Sequence, residues 1–193
     1  TVIDPHLKWH LRRKLKEIHE QLKLTLIYVT HDQVEALTFA DQVILMYAGE
    51  IVQIGTPEAL FENPRHKFVG YFIGSPGMNF LPCTLEGQVA RVDGATIALT
   101  PEAAARGAEA VGALELGIRP MHLQIHGSAV AGGVPVALKT VEDLGSFKIL
   151  TATLDGHVLK ARVPEGHPIP DGPIWLAFPP ERIRLFADER LVT

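Results

Sequence analysis

Hydrophobic patterning divides the chain into two textures. Up to about residue 73, apolar positions recur at helical spacing or stand in short blocks between helices; beyond it, strand-sized runs follow one another closely, broken by Gly, Pro and Asp. In the first part, Leu7, Leu11, Leu15, Ile18 and Leu22 fall on one helix face, with Arg12, Arg13, Lys16, Glu17 and Glu20 on the other. Asp4-Pro5 opens this helix, Asp4 as N-cap and Pro5 at the first helical position. Leu24 to Val29 is rich in β-branched and aromatic residues, long enough for a strand and too short for a buried helix. It stops at Thr30-His31-Asp32, where a second helix begins with Asp32 as N-cap and Glu35 in the capping-box position. Val34, Leu37 and Phe39 are its expected inward face. Gln42 to Tyr47 and Glu50 to Ile54 flank Ala48-Gly49 as a hairpin or meander. Thr56-Pro57 opens a short helix that Asn63-Pro64 ends, and His66 to Ile73 adds a further helical turn or two with Phe68, Val69 and Phe72 inward.

Gly74-Ser75-Pro76-Gly77 has the composition of a linker. The boundaries that follow are residues 1–73 for the first domain, 74–79 for the linker and 80–193 for the second domain. In the second domain, Asp93-Gly94 and Asp155-Gly156 each sit between alternating runs, which is the strongest short-range hairpin signal. Ile174 to Phe178 and Ile183 to Phe186 are two more strands, and only the alanine-rich stretch from Pro101 to Val111 is helical in pattern. The expected fold is an α/β piece followed by a mostly β domain, barrel-like or sandwich-like and large enough to close its own core.

Composition narrows the function. With 193 residues, 47% hydrophobic, 21% charged and a net charge of −4, the chain is ordinary for a globular protein and lacks the basic field of a nucleic-acid binder. Its single cysteine, Cys83, rules out an internal disulfide, argues against a cysteine-based metal site and fits a reducing compartment. No apolar run approaches a membrane span, and there is no signal-peptide pattern. The chain begins with Thr and reads as a piece of something longer. Nine histidines are scattered along it; His6 and His10, at i and i+4 on the first helix, are read with His19 as a solvated face and not as metal ligands. Trp9 and Trp175 are read as packing residues. Arg119, between Gly117-Ile118 and Pro120, is read as the cation of a turn-stabilising salt bridge, with contact to a partner or ligand as the alternative.

The candidate chemistry lies at His31. A histidine at the carboxyl end of a buried strand, on the turn into a helix, can offer an N–H to an oxyanion beside the positive end of the helix. The competing reading is a helix-start histidine without catalytic role. The surrounding residues, YVTHDQVEA, closely resemble the switch-histidine loop of the ATP-hydrolysing subunits of ABC transporters, and DQVILMYAGEIVQIGTPEALFENP is similar to the carbohydrate importers among them. Further along, SPGMNFL, LGIRPMHL, VEDLGSFKIL and FPPERIRLF resemble the appended C-terminal domain of those subunits, built from OB-like barrels and called TOBE.

The resemblance implies that residues 1–73 are the C-terminal part of a RecA-like P-loop NTPase domain. It also implies that His31 contacts the γ-phosphate of ATP and that Asp4 is the aspartate of the D-loop, at the nucleotide-sandwich dimer interface. The chain has TVID there, where the family usually has a serine and a leucine before the aspartate, so the cap and D-loop roles of Asp4 both stand. Membrane-spanning permease subunits and a second copy of the ATPase subunit are the implied partners, at the cytoplasmic face of the inner membrane as a peripheral protein. The implied cargo is a carbohydrate or a related polar solute such as a glycerol phosphate. The β domain would be regulatory and dimer-contacting, receiving a regulatory protein or ligand. ATP and Mg²⁺ belong to the parent protein, yet no G-x-x-x-x-G-K-S/T loop, LSGGQ-type signature or apolar run ending in Asp-Glu occurs here. This chain alone is therefore expected to take no cofactor and to be inactive, because phosphoryl transfer depends on the parts that hold nucleotide, metal and water. The alternative from another class is a non-catalytic regulatory, ligand-binding or dimerisation module centred on the β domain.

Overall fold

A computed structural model describes residues 4–192, without the side chains of Pro5 and His6. Thr1–Ile3, which precede the aspartate of the expected D-loop, and the His6 imidazole lie outside the described residues. The first part comprises α1 (Pro5–Leu22), α2 (Gln33–Phe39), the hairpin β1 (Val43–Tyr47) and β2 (Glu50–Gly55), α3 (Pro57–Glu62) and α4 (Lys67–Phe72). Asp4 begins α1 as expected, its Oδ1 accepting from the Leu7 N–H at 3.3 Å. Thr56 caps α3 through the Ala59 N–H. At the β1–β2 turn, Ala48 and Gly49 take φ of 51° and 83°, as the mirror-image turn of a tight hairpin requires. This part buries Val43, Leu45, Leu60, Val69 and Ile73 as its own small core.

Two expectations fail here. Leu24 to Val29 forms no strand: the segment pairs with no ladder among the described residues, and Ile27 and Val29 are 84% and 90% exposed. An apolar run becomes a strand only when neighbours take up its backbone groups, and β1 and β2 pair with each other instead. For the same reason the apolar face of α1 lacks a covering layer, leaving Leu7, Leu11, Ile18 and Leu22 exposed, and Trp9 is exposed with the His10 ring and the Arg13 guanidinium beside it.

The second part is mostly β. A four-stranded sheet runs β14 (Arg190–Leu191), β13 (Arg184–Ala187), β7 (Leu114–Ile118), β3 (Asn79–Pro82). A three-stranded meander joins β4 (Thr84–Glu86), β5 (Val89–Val92) and β6 (Ala95–Ala98). The largest sheet runs β11 (His157–Pro164), β10 (Phe147–Leu154), β9 (Gly133–Asp143), β12 (Ile174–Ala177), β8 (Gln124–His126). The helix expected from Pro101 is α5 (Pro101–Glu109), capped by Thr100. Both Asp-Gly pairs make their hairpins, with Asp93 and Asp155 at φ of 48° and 46°. One continuous core takes side chains from all three sheets, among them Leu81, Ile97, Leu116, Leu150, Leu159 and Leu176, each fully buried. At about 1.5–3 kcal/mol for each such side chain, this core outweighs the five-residue core of the first part several-fold. Gly107 lets α5 seat on it, since a Cβ there would stand 2.5 Å from Leu85 and 2.7 Å from Leu185.

The residues between the parts are held closely. A Cβ on Gly77 would fall 2.1 Å from the Tyr71 carbonyl oxygen, so the chain doubles back on α4 at a distance only glycine permits. Met78 donates its N–H to Gly70 at 2.9 Å. Asn79, buried, donates to the carbonyls of Ile118 and Lys160 and accepts from the Lys160 N–H at 2.8 Å, tying β3 to β11. Lys67 on α4 reaches Glu115 on β7 at 2.7 Å.

Arg119, which follows β7, closes the joint and is not the salt bridge expected of it. It is 3% exposed, and its guanidinium donates to the Phe61 carbonyl from Nε at 2.9 Å and to the Ile73 carbonyl from Nη1 at 2.6 Å. Its plane lies 3.7 Å from the centre of the Phe61 ring. No carboxylate stands within 4 Å among the described residues; burial lowers its pKa to about 10, opposed by the nearby charge of Glu62. Replacing Arg119 by Met strands two buried carbonyls, at about 1–3 kcal/mol each. For a chain of this size about 3 kcal/mol corresponds to a fall of roughly 6–12 °C in melting temperature. Thermal unfolding of Arg119→Met should show such a fall, and Arg119→Lys should not restore it, because an ammonium cannot fork between two carbonyls while stacking on a ring. A melting temperature unchanged in Arg119→Met would remove the residue from this role.

Candidate functional site

The loop carrying His31 is shaped by a carboxylate four residues further on, that of Glu35. Asp32 caps α2 as expected, its Oδ1 accepting from the N–H groups of Val34 at 2.8 Å and Glu35 at 3.2 Å. The reciprocal half of the capping box does not form. Thr30 Oγ1 takes the Asp32 N–H at 3.0 Å, which frees the Glu35 carboxylate to turn toward α1. There Glu35, 6% exposed, accepts from Thr30 Oγ1 at 2.8 Å, Tyr28 Oη at 3.2 Å and Arg12 Nη1 at 2.6 Å, with Lys8 Nζ at 3.7 Å. Hydrogen bonding from Thr30 first, then Tyr28 and the charges of Arg12 and Lys8, holds its carboxyl below the usual range against the opposing effect of burial. Tyr28 shifts the other way, its hydroxyl pushed up by burial and by its bond to Glu35.

Tyr28 and Thr30 turn toward Glu35, while Val29 and His31, the latter on a bend, take no part in that network. Both are exposed. His31 thus stands open to solvent at the start of α2, beside a helix end whose first N–H groups are already taken by the Asp32 carboxylate. That carboxylate offsets the positive helix end expected to assist the imidazole. Val34 is likewise exposed, while Leu37 packs against the small core and Phe39 lies 5.2 Å from the Tyr28 ring centre.

Asp4 and His31 therefore begin two helices that Arg12 and Glu35 join. Neither Arg12 nor Glu35 was singled out from sequence: the basic run at Arg12 fits a solvated face, and Glu35 fits a capping box. The available signal was Tyr28 and Thr30, two hydroxyls at i and i+2 facing an acid just inside the next helix. A further link runs from α2 to the interdomain stretch: Gln33 Oε1 accepts the Gly74 N–H at 2.8 Å.

Among the described residues, no group of three or more His, Cys, Asp and Glu side chains stands together to hold a metal ion. Cys83 packs against the large core, and burial pushes its thiol up to about 11, far from the range of a reactive thiolate. No described helix is long and apolar enough to cross a membrane.

Comparison with known proteins gives this geometry a family. The MalK OB fold domain matches residues 74–123 and the TOBE domain matches residues 116–186. The chain is 36% identical over 191 residues to the sulfoquinovosyl glycerol transport ATP-binding protein SmoE of Agrobacterium fabrum, covering 95% of this chain and 52% of that protein. It is 38% identical over 190 residues to the sn-glycerol-3-phosphate import ATP-binding protein UgpC of Escherichia coli O157:H7, covering 97% and 52%. The chain thus spans about half the length of the curated relatives it matches. A solved structure of the cytoplasmic molybdate-binding protein ModG covers 57% of this chain at 15% identity, with a TM-score of 0.40. The chain carries the MalK OB fold and TOBE domains in order, and its relatives, which match it along nearly its full length, are ATP-binding subunits of ABC transporters.

Proposed function

We propose that the chain is the C-terminal part of the ATP-hydrolysing subunit that energises an ABC importer for a carbohydrate or a related polar solute. The observation that carries this is the exposed His31, held at the start of an Asp32-capped helix by the Glu35 network, in a chain whose relatives are named as transport ATP-binding proteins. In this reading residues 1–73 complete a RecA-like nucleotide-binding domain, and the solvent-facing imidazole meets the γ-phosphate of ATP bound largely by residues outside this chain. Asp4 serves the D-loop at the interface with a second copy of the subunit while capping α1. The exposed apolar surface of Leu24, Leu26, Ile27 and Val29 belongs against further strands of the same domain. The parent works at the cytoplasmic face of the membrane against permease subunits, with ATP and Mg²⁺ as its cofactors. Residues 80–193 are the regulatory, dimer-contacting part, joined at 74–79.

Three outcomes are expected. In the full-length parent, His31→Ala should lower ATP hydrolysis about 10²-fold or more, since removing one preorganised donor to a developing oxyanion costs about 2.7–4 kcal/mol. Wild-type hydrolysis with transport intact would return His31 to the role of a surface histidine. The 193-residue chain itself should neither bind MgATP with micromolar affinity in titration calorimetry nor release phosphate above background, because it lacks the loop that cradles phosphate. Turnover in the purified chain would sink that expectation. Finally, residues 78–193 excised at the Gly74–Gly77 stretch should keep a strand-dominated circular dichroism spectrum and a cooperative thermal transition, because the large core lies wholly within them. A disordered spectrum would show that the β part depends on its neighbour.

A further inference from the structure

Away from His31, a cleft of about 450 Å³ opens where the loop after α3 meets α5 and β13. That volume lies in the range of small-molecule sites, which favour such junctions. Three arginines from three distant segments line it: Arg65 from the loop, Arg106 from the last turn of α5 and Arg184 from the first position of β13. Among the described residues, none of the three has a carboxylate within 4 Å, whereas Arg12, Arg13, Arg91 and Arg182 each have one. Arg184 is half-buried and fixed, its Nη1 donating to the carbonyls of Glu181 at 3.1 Å and Ile183 at 3.0 Å. Arg65 and Arg106 are exposed, and among the described residues their side chains make no hydrogen bond or ion pair.

The rest of the lining is of two kinds. Ile183 and Leu185 are buried residues of the large core, and Leu191 continues their apolar surface into the cleft. Two carboxylates, Glu102 and Glu181, also line it, so three guanidiniums face two carboxylates. Glu102 lies one helical turn before Arg106, a spacing at which an acid and a base commonly pair, yet they stand apart here. Guanidiniums left without carboxylate partners, beside an apolar surface, suit an anion with an apolar body. Planar guanidinium forks from three separate segments can each take an oxygen of a tetrahedral phosphate.

We propose that this cleft binds a small organic phosphate, its phosphoryl group between Arg65, Arg106 and Arg184 and its apolar body against Ile183, Leu185 and Leu191. Because the walls come from both the first part and the β part, occupancy would hold the two together and raise the stability of the joined chain. The site uses none of the nucleotide-facing residues, so it stands or falls apart from the reading of His31.

The test is titration calorimetry on the 193-residue chain at constant ionic strength, with phenyl phosphate, inorganic phosphate and citrate as probes. Saturable one-to-one binding of phenyl phosphate is expected, at least tenfold tighter than inorganic phosphate and than citrate, with a matching rise in melting temperature. The Arg65→Gln/Arg106→Gln double variant should lose tenfold or more in affinity, and Glu102→Gln should gain several-fold by relieving repulsion. Non-saturating heats, or affinities identical in all three proteins, would show a general ionic effect only and overturn the site. Citrate binding as tightly as phenyl phosphate would overturn the phosphate assignment. Should the double variant lose its native circular dichroism spectrum, Glu102→Gln decides alone: an affinity no tighter than that of the parent chain overturns the proposal.

Discussion

The joint at Arg119 is the constraint on which the arrangement of the chain depends. A buried guanidinium is costly unless its donors are used, and here they are spent on backbone carbonyls at the ends of α3 and α4 instead of on a carboxylate. Those carbonyls are the orphan acceptors that every helix end leaves unsatisfied. One side chain from the β part thus completes the hydrogen bonding of two helices in the first part, while the Phe61 ring covers its face. Neither partner is satisfied alone. Around this centre, Lys67 with Glu115, and the pairing of the Leu191 N–H with the Arg65 carbonyl at 3.0 Å, fix the same two parts at separate points. Contacts of such different chemistry at one boundary resist sliding as well as separation.

Much of the β part was legible because its signals are local. Turn chemistry at Asp93-Gly94 and Asp155-Gly156, the alanine-rich helical pattern from Pro101 and the alternating runs of β10 and β11 act within a few residues, and each found the structure it asks for. What failed in the first part were expectations that need a distant partner. The run from Leu24 to Val29 has the composition of a buried strand, but composition supplies no ladder, and the segment stays extended and unpaired among the described residues. The α1 apolar stripe fails in the same way: periodicity says which face would be buried, not that a covering layer is at hand.

At the candidate site the legible and illegible parts separate along the same line. Asp4 and Asp32 cap their helices because a cap is decided by the next three residues. Glu35 has the same local spacing for a capping box, yet Arg12, 23 residues earlier, competes for its carboxylate and wins at 2.6 Å. A charge-assisted bond to a guanidinium, reinforced by two hydroxyls, is stronger than a single bond back to a backbone N–H, which Thr30 satisfies anyway. Arg119 departs from its expected salt bridge for a related reason: two helix ends offer carbonyls at closer range than any carboxylate among the described residues.

These two networks meet through Gln33. His31 and Asp32 lead directly into Gln33, whose side-chain oxygen holds the Gly74 N–H at 2.8 Å. Gly74 follows Ile73, whose carbonyl takes the Arg119 guanidinium at 2.6 Å. A continuous series of short bonds therefore runs from the histidine loop, across the stretch composed like a linker, to the end of β7 in the β part. Sequence composition suggested a tether between residues 74 and 79, but the glycines there serve close approach: a side chain at Gly77 would collide with the Tyr71 backbone, and one at Gly74, at φ 122°, would stand 2.9 Å from Arg119. Small residues at a boundary can mean freedom or proximity, and the burial of their neighbours decides which. With Ile73, Met78 and Asn79 all buried, proximity is the reading that fits, and the orientation of the His31 loop is tied to the β part by hydrogen bonds as well as by the chain.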